Sequence, residues 1–577
     1  MTGANNLAPR WSRWLPAWLR HYRRDQAIPD GIAGLVVTVL LVPQSLAYAM
    51  LAGLPPHVGM YASILPLLAY AAFGSSMTLA VGPVAVASLM TASALAPFAA
   101  QGSPEYISLA ILLAILGGLQ LMVMGVLRLG FVANLLSHSV VSGFVTGSAL
   151  LIAIGQLKPL LGVPAQGHTA VEMLLSLLAS FQKLQPATAA LGLSAVLLLW
   201  SSRRFLAPLL ARCGLAPRAA ELLAKLSPMV IVLLSLGAVA VWQLDTGHGV
   251  AVVGTIPQGL PSLKLAWPAR EQALSLFVPA FMIALVGFVE SVSVAQSLAI
   301  KRGQRIDPNA ELRGLGAGNL ASALSGGFPV TGGFARSVVN FAAGAQTPMA
   351  GVISAALMSL VLLGMTGLFE RLPLAVLAAT IIVAVLGLID LATPRHAWHY
   401  DRADALAWAG SALGVLGLGV EAGIGIGVAL STGTFLWRAS RPHIAVLGRL
   451  AGTEHFRNEQ RFQVETQPHL LIMRIDENLF FANSAAVMER IETELARRPA
   501  TRDLLLVLSS VSHIDLTAAE ALERLRVDLQ ARGIVLHLAE VKGPVLDRLR
   551  HAGRLRGLAQ EPFVSVHSAT QALGQHA

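Results

Sequence analysis

The sequence predicts a polytopic α-helical membrane protein with a small α/β domain at its C-terminal end. Of its 577 residues, 55% are hydrophobic and 12% are charged, whereas soluble domains carry about 25% charged residues. Apolar segments near the ~20 residues that a bilayer requires follow one another from residue 31 to residue 437. After Arg441 the composition becomes charged, which is typical of a soluble domain.

The composition and the absence of certain motifs exclude several classes of function. Cys213 is the single cysteine, which excludes an intramolecular disulfide and a cysteine-clustered metal site. The sequence shows no P-loop, nucleophile elbow or metal-ligand cluster, so we expect neither an enzyme nor a cofactor. The 41 Lys and Arg exceed the 31 Asp and Glu. In a membrane protein, an excess of basic residues is typical of its cytoplasmic loops, so we expect no nucleic-acid partner.

About fourteen membrane segments are predicted, and the basic loops set their orientation. The N-terminus and the loops 203–225 and 301–313 carry most of the basic residues and fall on one side. That side is predicted to be cytoplasmic, with both termini inside. Residues 1–30 are basic with interleaved tryptophans, which predicts an amphipathic segment on the inner membrane surface. The predicted segments start near Gly34, Val58, Met77, Ile107, Leu135, Ala187, Pro228, Ala273, Asn309, Phe334, Ala350, Pro373, Asp404 and Ile424.

In the first segment, Gln44 and Tyr48 follow the helix-breaking Pro43. They are four residues apart, so they share one face of a helix. Polar groups on one face beside a helix break predict a lined cavity. Hydrogen bonding between helices is the alternative for each residue taken alone.

Residues 326–340, which read GGFPVTGGFARSVVN, cannot form one unbroken helix. Pro329 lacks an amide donor and glycine pairs are poor helix formers. A helix that restarts near Phe334 places Arg336 in its first turn, beside the positive pole of the helix dipole and unpaired amides. A cation there favours an anion as the missing partner. The alternatives are that Arg336 reaches the membrane interface or pairs with a carboxylate.

A similar interruption lies in residues 77–91, where a short extended run meets Gly82 and Pro83 and a helix follows, with Pro83 suited to its first turn. If the halves are 31–243 and 273–437, each interruption falls in the third segment of its half. Interrupted segments at corresponding positions of two halves indicate the central site of a transporter.

Glu290 lies near the middle of the eighth segment. A bare carboxylate at that depth is costly, so it must be paired, protonated or solvated in a cavity. A fixed salt bridge, with Arg336 as one possible partner, is the structural alternative.

The C-terminal region has the pattern of a small α/β domain. Strands are predicted at 470–475, 504–508 and 534–538, with helices at 485–497 and 517–531 between them. Asp515 or Thr517 is the natural cap of the second helix. The predicted domains are therefore the N-terminal segment 1–30, the transmembrane domain 31–443 and the C-terminal domain 444–577.

Four motifs together resemble the sulfate permease (SulP) family of anion transporters with a C-terminal STAS domain. They are PQSLAYAMLAGLPPHVGMYAS (43–63), TLAVGPVAVASLM (78–90), GGFPVTGGFARSVVN (326–340) and HIDLTAAEAL (513–522). The resemblance implies fourteen segments arranged as 7+7 inverted repeats, divided into core and gate domains and including two half-helices. It also implies a homodimer and a cytoplasmic STAS domain.

The resemblance also implies roles for individual residues. The anion site would use Gln44, Tyr48, the backbone around Val84, and Ala335 with Arg336; many relatives have serine at the position of Ala335. Glu290 matches an acidic residue that proton-coupled relatives use for coupling. Val294 stands where sodium-coupled relatives place an acidic residue, which argues against sodium. Thr517 stands where bacterial STAS relatives carry a phosphorylated serine.

These observations predict a secondary transporter of the bacterial inner membrane for a small oxyanion, with sulfate the leading substrate and proton symport the leading coupling. The alternatives are a bicarbonate or dicarboxylate transporter, an anion exchanger, and an anion-sensing receptor that signals through the STAS domain. The expected partners are a small anion, a proton, the lipid bilayer, a second copy of the chain, and a cytoplasmic protein or nucleotide at the STAS domain.

Overall fold

The computed structural model describes residues 16–134, 137–165, 167, 169–261, 270–551 and 561–574. The chain divides into two compact units, Met1–Ser431 and Thr432–Ala577. Most of the N-terminal segment predicted to be amphipathic, residues 1–15, lies outside the described residues.

The first unit is built of helices that follow the predicted order, and we number its membrane segments as spans 1 to 14. Six of the described helices are long and apolar enough to cross a membrane. The first begins earlier than predicted, at Arg24. The spans are Arg24–Leu51, Pro56–Phe73, Val81–Gly82 with Ala85–Leu95, Pro104–Val126, His138–Leu161, Pro186–Arg212, Ser227–Trp242, Arg270–Ile300, Pro308–Leu324, Thr331–Gly332 with Phe334–Ala342, Met349–Gly364, Leu374–Leu386, Arg402–Leu418 and Val420–Ala439.

Spans 3 and 10 are the two interrupted segments, and each consists of a short strand followed by a short helix. Strand β1 (Val81–Gly82) pairs with strand β2 (Thr331–Gly332) in antiparallel register. The helix of span 3 begins at Ala85, and Val84 is its cap residue. Pro83 therefore precedes the cap, and its predicted place in the first turn was wrong.

The extended chain before the helix of span 10 has its backbone groups satisfied by side chains of spans 8 and 9. The Asn319 amide accepts from the Val330 nitrogen at 3.0 Å and donates to the Val330 carbonyl at 2.9 Å. The Ser322 hydroxyl donates to the Phe328 carbonyl, and the Ser291 hydroxyl accepts from the Gly332 nitrogen. Non-helical backbone at membrane depth requires such partners, because lipid supplies none.

Spans 3 and 10 are also bonded directly to each other. The Ser337 hydroxyl accepts from the Ala80 nitrogen at 3.0 Å and donates to the Gly333 carbonyl at 2.7 Å. The Asn340 amide donates to the Thr78 carbonyl. These bonds fix the two strand–helix junctions relative to each other, so that both half-helices begin at one place inside the unit.

The second unit is an α/β domain with a five-stranded sheet in the order β4-β3-β5-β6-β7. Strands β5, β6 and β7 are parallel, and β3 is antiparallel to its neighbours β4 and β5. The three predicted strands are confirmed within one residue, and the two predicted helices begin one residue earlier than expected. The strands are β3 Ile444–Arg449, β4 Phe456–Asn458, β5 Leu470–Ile475, β6 Asp503–Val507 and β7 Val535–Ala539, and the helices are Ser484–Arg497, Leu516–Ala531, Gly543–His551 and Val566–Gly574.

Replacing Ser291 by alanine is expected to destabilise the first unit. Its buried hydroxyl accepts from the Gly332 nitrogen at 2.9 Å, and its loss leaves that group unpaired at a cost of about 1–3 kcal/mol. Ser359→Ala is the matched control, because the Ser359 hydroxyl bonds only the Ala355 carbonyl of its own helix. Thermal unfolding in detergent should show a lower melting temperature for Ser291→Ala alone. Equal melting temperatures would contradict this account of the strand.

Candidate anion site

The six residues predicted to bind the anion or couple its transport line one cavity. Its empty volume, including space open to solvent, is about 440 Å³, and it is bordered by spans 1, 3, 8, 10 and 12. The predicted residues are Gln44, Tyr48, Val84, Glu290, Ala335 and Arg336, and the cavity is completed by Ala85, Val86, Gly333, Phe334, Ala384, Val385 and Leu388. Residues as far apart in sequence as Gln44 and Leu388 thus border one cavity.

Two helix N-termini open into this cavity without caps. Val84 and Gly333, the cap residues of the two half-helices, have extended backbones and supply no side-chain hydrogen bond. The first amides of a helix have no partner inside the helix, and they carry the positive pole of its dipole. Two such ends beside one cavity form a place where an anion is stabilised by backbone groups.

Arg336 adds a full positive charge at the same place. It lies in the first turn of the half-helix Phe334–Ala342, its residue is 2% exposed, and neither Nη atom has a hydrogen-bond partner. The guanidinium lies against backbone at Gly82 and Gly333. A Cβ atom added to Gly333 would be 3.0 Å from Nη2 and 3.2 Å from Nε. Glycine at position 333 therefore lets the cation fold back over the helix end.

Glu290 lies across the same cavity and is not a fixed partner of Arg336. Its Oε2 atom is buried and has no hydrogen-bond partner among the described residues. Arg336 is close enough to interact with it electrostatically. The predicted alternative, a fixed salt bridge between the two, is therefore wrong for this structure.

On its other side Glu290 borders a second cavity of about 340 Å³ that is otherwise apolar. Spans 5, 8 and 14 line it with Val140, Val141, Phe144, Val145, Val286, Val289 and Ile424. The carboxyl group thus separates a polar cavity from an apolar one, and the polar cavity is the side on which an anion or water can reach it.

Gln44 and Tyr48 lie on the face of span 1 that borders the cavity. The predicted helix break at Pro43 was wrong, because the helix Arg24–Leu51 continues through it. Within the described part of the chain, neither the Gln44 amide nor the Tyr48 hydroxyl has a hydrogen-bond partner in the protein. The alternative of hydrogen bonding between helices is therefore wrong for this structure, and both groups are free to donate into the cavity. Ala335 is exposed there and supplies only its backbone amide.

The sequence analysis missed the side of the cavity that span 12 forms. Ala384 and Val385 lie in the last turn of an ordinary hydrophobic helix and Leu388 lies in the turn after it, and all three are apolar, so no motif marks them. The tertiary contact between spans 1 and 12 is what places them opposite Gln44 and Tyr48.

Thr517 lies in the second unit, in the first turn of the helix Leu516–Ala531. Asp515 is the cap, since its carboxylate accepts from the Ala518 nitrogen at 2.8 Å. Thr517 is exposed and is not the cap. A regulatory role for its hydroxyl stays a prediction.

Comparison with known proteins identifies the chain. The model of the sulfate permease family matches residues 28–411, and the model of the STAS domain matches residues 461–569. The chain belongs to the sulfate permease family. It is 35% identical to sulfate transporter 4.1 of Arabidopsis thaliana over 97% of this chain and 82% of that one. It is 36% identical to a probable sulfate transporter of Mycobacterium tuberculosis over 97% of this chain and 98% of that one. These relatives are named transporters and not enzymes.

Solved structures show the same fold. Murine solute carrier 26 family member A9, an anion transporter in the inward-facing state, matches with a TM-score of 0.87 at 23% identity. That match covers 100% of this chain and 97% of the murine one. The transmembrane domain of a cyanobacterial bicarbonate transporter matches with a TM-score of 0.59 at 23% identity, over 70% of this chain and 98% of that one. The predicted fold class, a 7+7 transmembrane unit followed by a STAS domain, is confirmed.

Gly333→Ala is expected to weaken sulfate binding about threefold to tenfold, or roughly 1 kcal/mol. The backbone at Gly333 suits alanine, with φ −79° and ψ 124°, but the new methyl group would displace the Arg336 guanidinium. Gly351→Ala is the matched control, because its Cβ would meet Leu67 at an ordinary 3.7 Å. Titration of the purified variants with sulfate measures the difference. Unchanged affinity in Gly333→Ala would show that sulfate binding does not depend on the position of the Arg336 guanidinium.

Proposed function

We propose that the protein is a secondary active transporter that moves a small oxyanion, with sulfate as its main substrate, across a bacterial inner membrane. One observation carries this proposal. Arg336 is a buried cation without a hydrogen-bond partner for either Nη atom, and it lies beside two uncapped helix N-termini in a cavity that Gln44 and Tyr48 also line. A buried charge without a partner is costly, so the protein needs an anion in that cavity.

The anion binds between the two half-helices. The first backbone amides of the turns that begin at Ala85 and Phe334 donate hydrogen bonds to it, and Arg336 donates charge-assisted hydrogen bonds from one side. Gln44 and Tyr48 add neutral donors from span 1. Because Ala335 has no hydroxyl, this chain relies on backbone amides and the guanidinium for most of its contacts.

Sulfate is favoured over other anions by charge and by the named relatives. A dianion gains the most from a site that combines one full positive charge with two helix ends. The relatives that match nearly the whole chain at 35–36% identity are named sulfate transporters. Bicarbonate is the second candidate, because a named bicarbonate transporter shares the fold of the transmembrane unit.

Transport requires the cavity to open alternately to each side. Spans 1, 3, 8 and 10 supply the polar groups, and span 12 closes the cavity with apolar side chains only. The polar spans form the core and span 12 belongs to the gate. The core carries the anion by a rigid-body movement against the gate.

Proton symport through Glu290 is the coupling that this geometry supports. Arg336 and Tyr48 are the ionisable groups that face Glu290, while spans 5 and 14 present only apolar side chains to it. A carboxylate and a dianion repel each other in one cavity, so binding of sulfate favours the protonated acid. Anion exchange is the second candidate for coupling.

The remaining proposals concern the setting of the transporter. Both termini lie in the cytoplasm, because the basic residues of the segments 203–225 and 301–313, at the ends of spans 6 and 8 and in the connections that follow them, fall on the side of the N-terminus. The protein works as a homodimer, which light scattering of the purified protein in detergent tests. Phosphorylation of Thr517, or a protein or nucleotide bound to the STAS domain, regulates transport.

A membrane receptor that binds an anion without moving it is the competing function. Uptake of labelled sulfate into proteoliposomes distinguishes the two functions. A transporter accumulates sulfate above the external concentration when a proton gradient is imposed. Binding without accumulation would support the receptor and end the transport proposal.

Arg336→Ala is expected to lose sulfate binding and uptake by about 10-fold to 100-fold, which corresponds to the roughly 1.5–3 kcal/mol of a hydrogen bond to a charged group. Arg336→Lys should restore part of it, because lysine keeps the charge and lacks the planar fork. Arg305→Ala, at an exposed position, is the control. If Arg336→Ala transports sulfate like the control, Arg336 is not part of the site.

Glu290→Gln is expected to remove the pH dependence of uptake. In the wild type, uptake should rise as external pH falls, because a larger share of Glu290 is then protonated and ready for the dianion. The glutamine variant should still exchange sulfate for sulfate, since a neutral amide imitates the protonated acid. Glu105→Gln, at an exposed position, is the control.

The measurements are pH-driven net uptake and counterflow in the same proteoliposomes. Wild-type pH dependence in the Glu290→Gln variant would exclude proton coupling through this residue. Loss of counterflow together with net uptake would instead assign Glu290 a role in the fold.

A further inference from the structure

On the gate side of the cavity, the negative end of a helix dipole lies where it would repel an anion. Span 12 ends at Leu386, and its last residues Ala384 and Val385 line the anion cavity. The last four carbonyl groups of a helix have no partner inside the helix and carry the negative pole of its dipole. That pole lies beside the cavity in which the two half-helices and Arg336 attract an anion.

Span 12 has no basic residue in its last turn to offset this pole. Arg203 of span 6 supplies the charge from outside the helix. Its Nη1 donates to the Val383 carbonyl at 2.5 Å, and this carbonyl is one of the last four of span 12. Arg203 lies in a π-helical turn, Ser202–Leu206, and such turns occur often at functional sites.

Arg203 is also close to the anion cavity itself. Tyr48, which lines the cavity, is within electrostatic range of both Arg203 and Arg336. Among the described residues, no carboxylate lies within ion-pair distance of Arg203. Its positive charge is therefore not paired with a carboxylate among the described residues, and its guanidinium bonds the end of span 12.

We propose that Arg203 is an electrostatic positioning residue for the anion, which neutralises the carbonyl end of span 12 so that the gate does not repel a dianion bound to the core. This inference rests on the proposed function, and it adds a residue of the gate that does not line the cavity. Because the effect is electrostatic, it grows with the charge of the anion. Arg203 thereby favours dianions over monoanions.

A purely structural role for Arg203, as a hydrogen-bonding cap of span 12, is the alternative, and two variants separate the roles. Arg203→Gln keeps a hydrogen-bond donor and loses the charge, whereas Arg203→Lys keeps both. Arg204→Gln is the matched control. It removes the neighbouring arginine, whose guanidinium lies 5.9 Å from the centre of the Phe205 ring.

The experiment measures sulfate dissociation constants of the purified full-length variants, with melting temperatures recorded in parallel. We expect Arg203→Gln to bind sulfate about threefold to tenfold more weakly, and Arg203→Lys and Arg204→Gln to stay within about twofold of the wild type. Nitrate and hydrogencarbonate serve as monovalent competitors. If one of them binds, its affinity should also be lower in Arg203→Gln. The factor should be about the square root of the factor found for sulfate, because a monoanion carries half the charge.

Wild-type affinity in Arg203→Gln would overturn the inference, and so would an equal loss for sulfate and a monoanion. Equal weakening in the Gln and Lys variants with lowered melting temperatures would assign Arg203 the cap role alone. If the wild type binds none of these anions, the proposed function fails. That outcome is distinct from failure of the Arg203 inference, which requires a wild type that binds.

Discussion

The structure depends on one constraint, which is that a peptide group inside a membrane needs a hydrogen-bond partner. The chain breaks two helices at this depth and satisfies nearly every group that the breaks expose. Asn319, Ser322 and Ser291 bind the extended chain of span 10, and Ser337 and Asn340 join it to span 3. The groups left open are the first amides of the two half-helices, and these face the cavity. The proposed anion site is the place where these first amides lie beside Arg336.

Two ionisable side chains, those of Arg336 and Glu290, lie in the same cavity as these open amides. Arg336 lies in the first turn of a half-helix, where the positive pole of its own helix dipole does not stabilise it. An anion would stabilise both the guanidinium and this pole. Glu290 lines the same cavity without a hydrogen-bond partner for its Oε2 atom. A fixed ion pair between Glu290 and Arg336 would leave neither group available for the proposed proton and anion. Their separation in the structure is consistent with the proposed function.

The two sides of the cavity differ in chemistry, which suits a cavity that must open. The core side is polar and is fixed by buried hydrogen bonds among spans 3, 8, 9 and 10. The gate side presents Ala384, Val385 and Leu388, whose apolar surfaces can separate from the core without breaking hydrogen bonds. Arg203 of span 6 donates a hydrogen bond to the Val383 carbonyl near the end of span 12.

Local sequence was enough to predict the membrane segments, the two interruptions, the strands β5, β6 and β7 and the candidate ligands Gln44, Tyr48, Glu290 and Arg336. Hydrophobicity, paired glycines and isolated charge are properties of local sequence with strong physical consequences in a bilayer, whereas a single proline is not decisive, because Pro43 lies inside the continuous helix Arg24–Leu51. Strands β3 and β4, the residues of span 12 that line the cavity and the contact of Arg203 with Val383 depend on tertiary packing. These features join residues that carry no local signal, and they exist because packing brings distant helices together. The same holds for the relation of Glu290 to Arg336, since sequence offers both charges but only the packed helices set whether they form a pair.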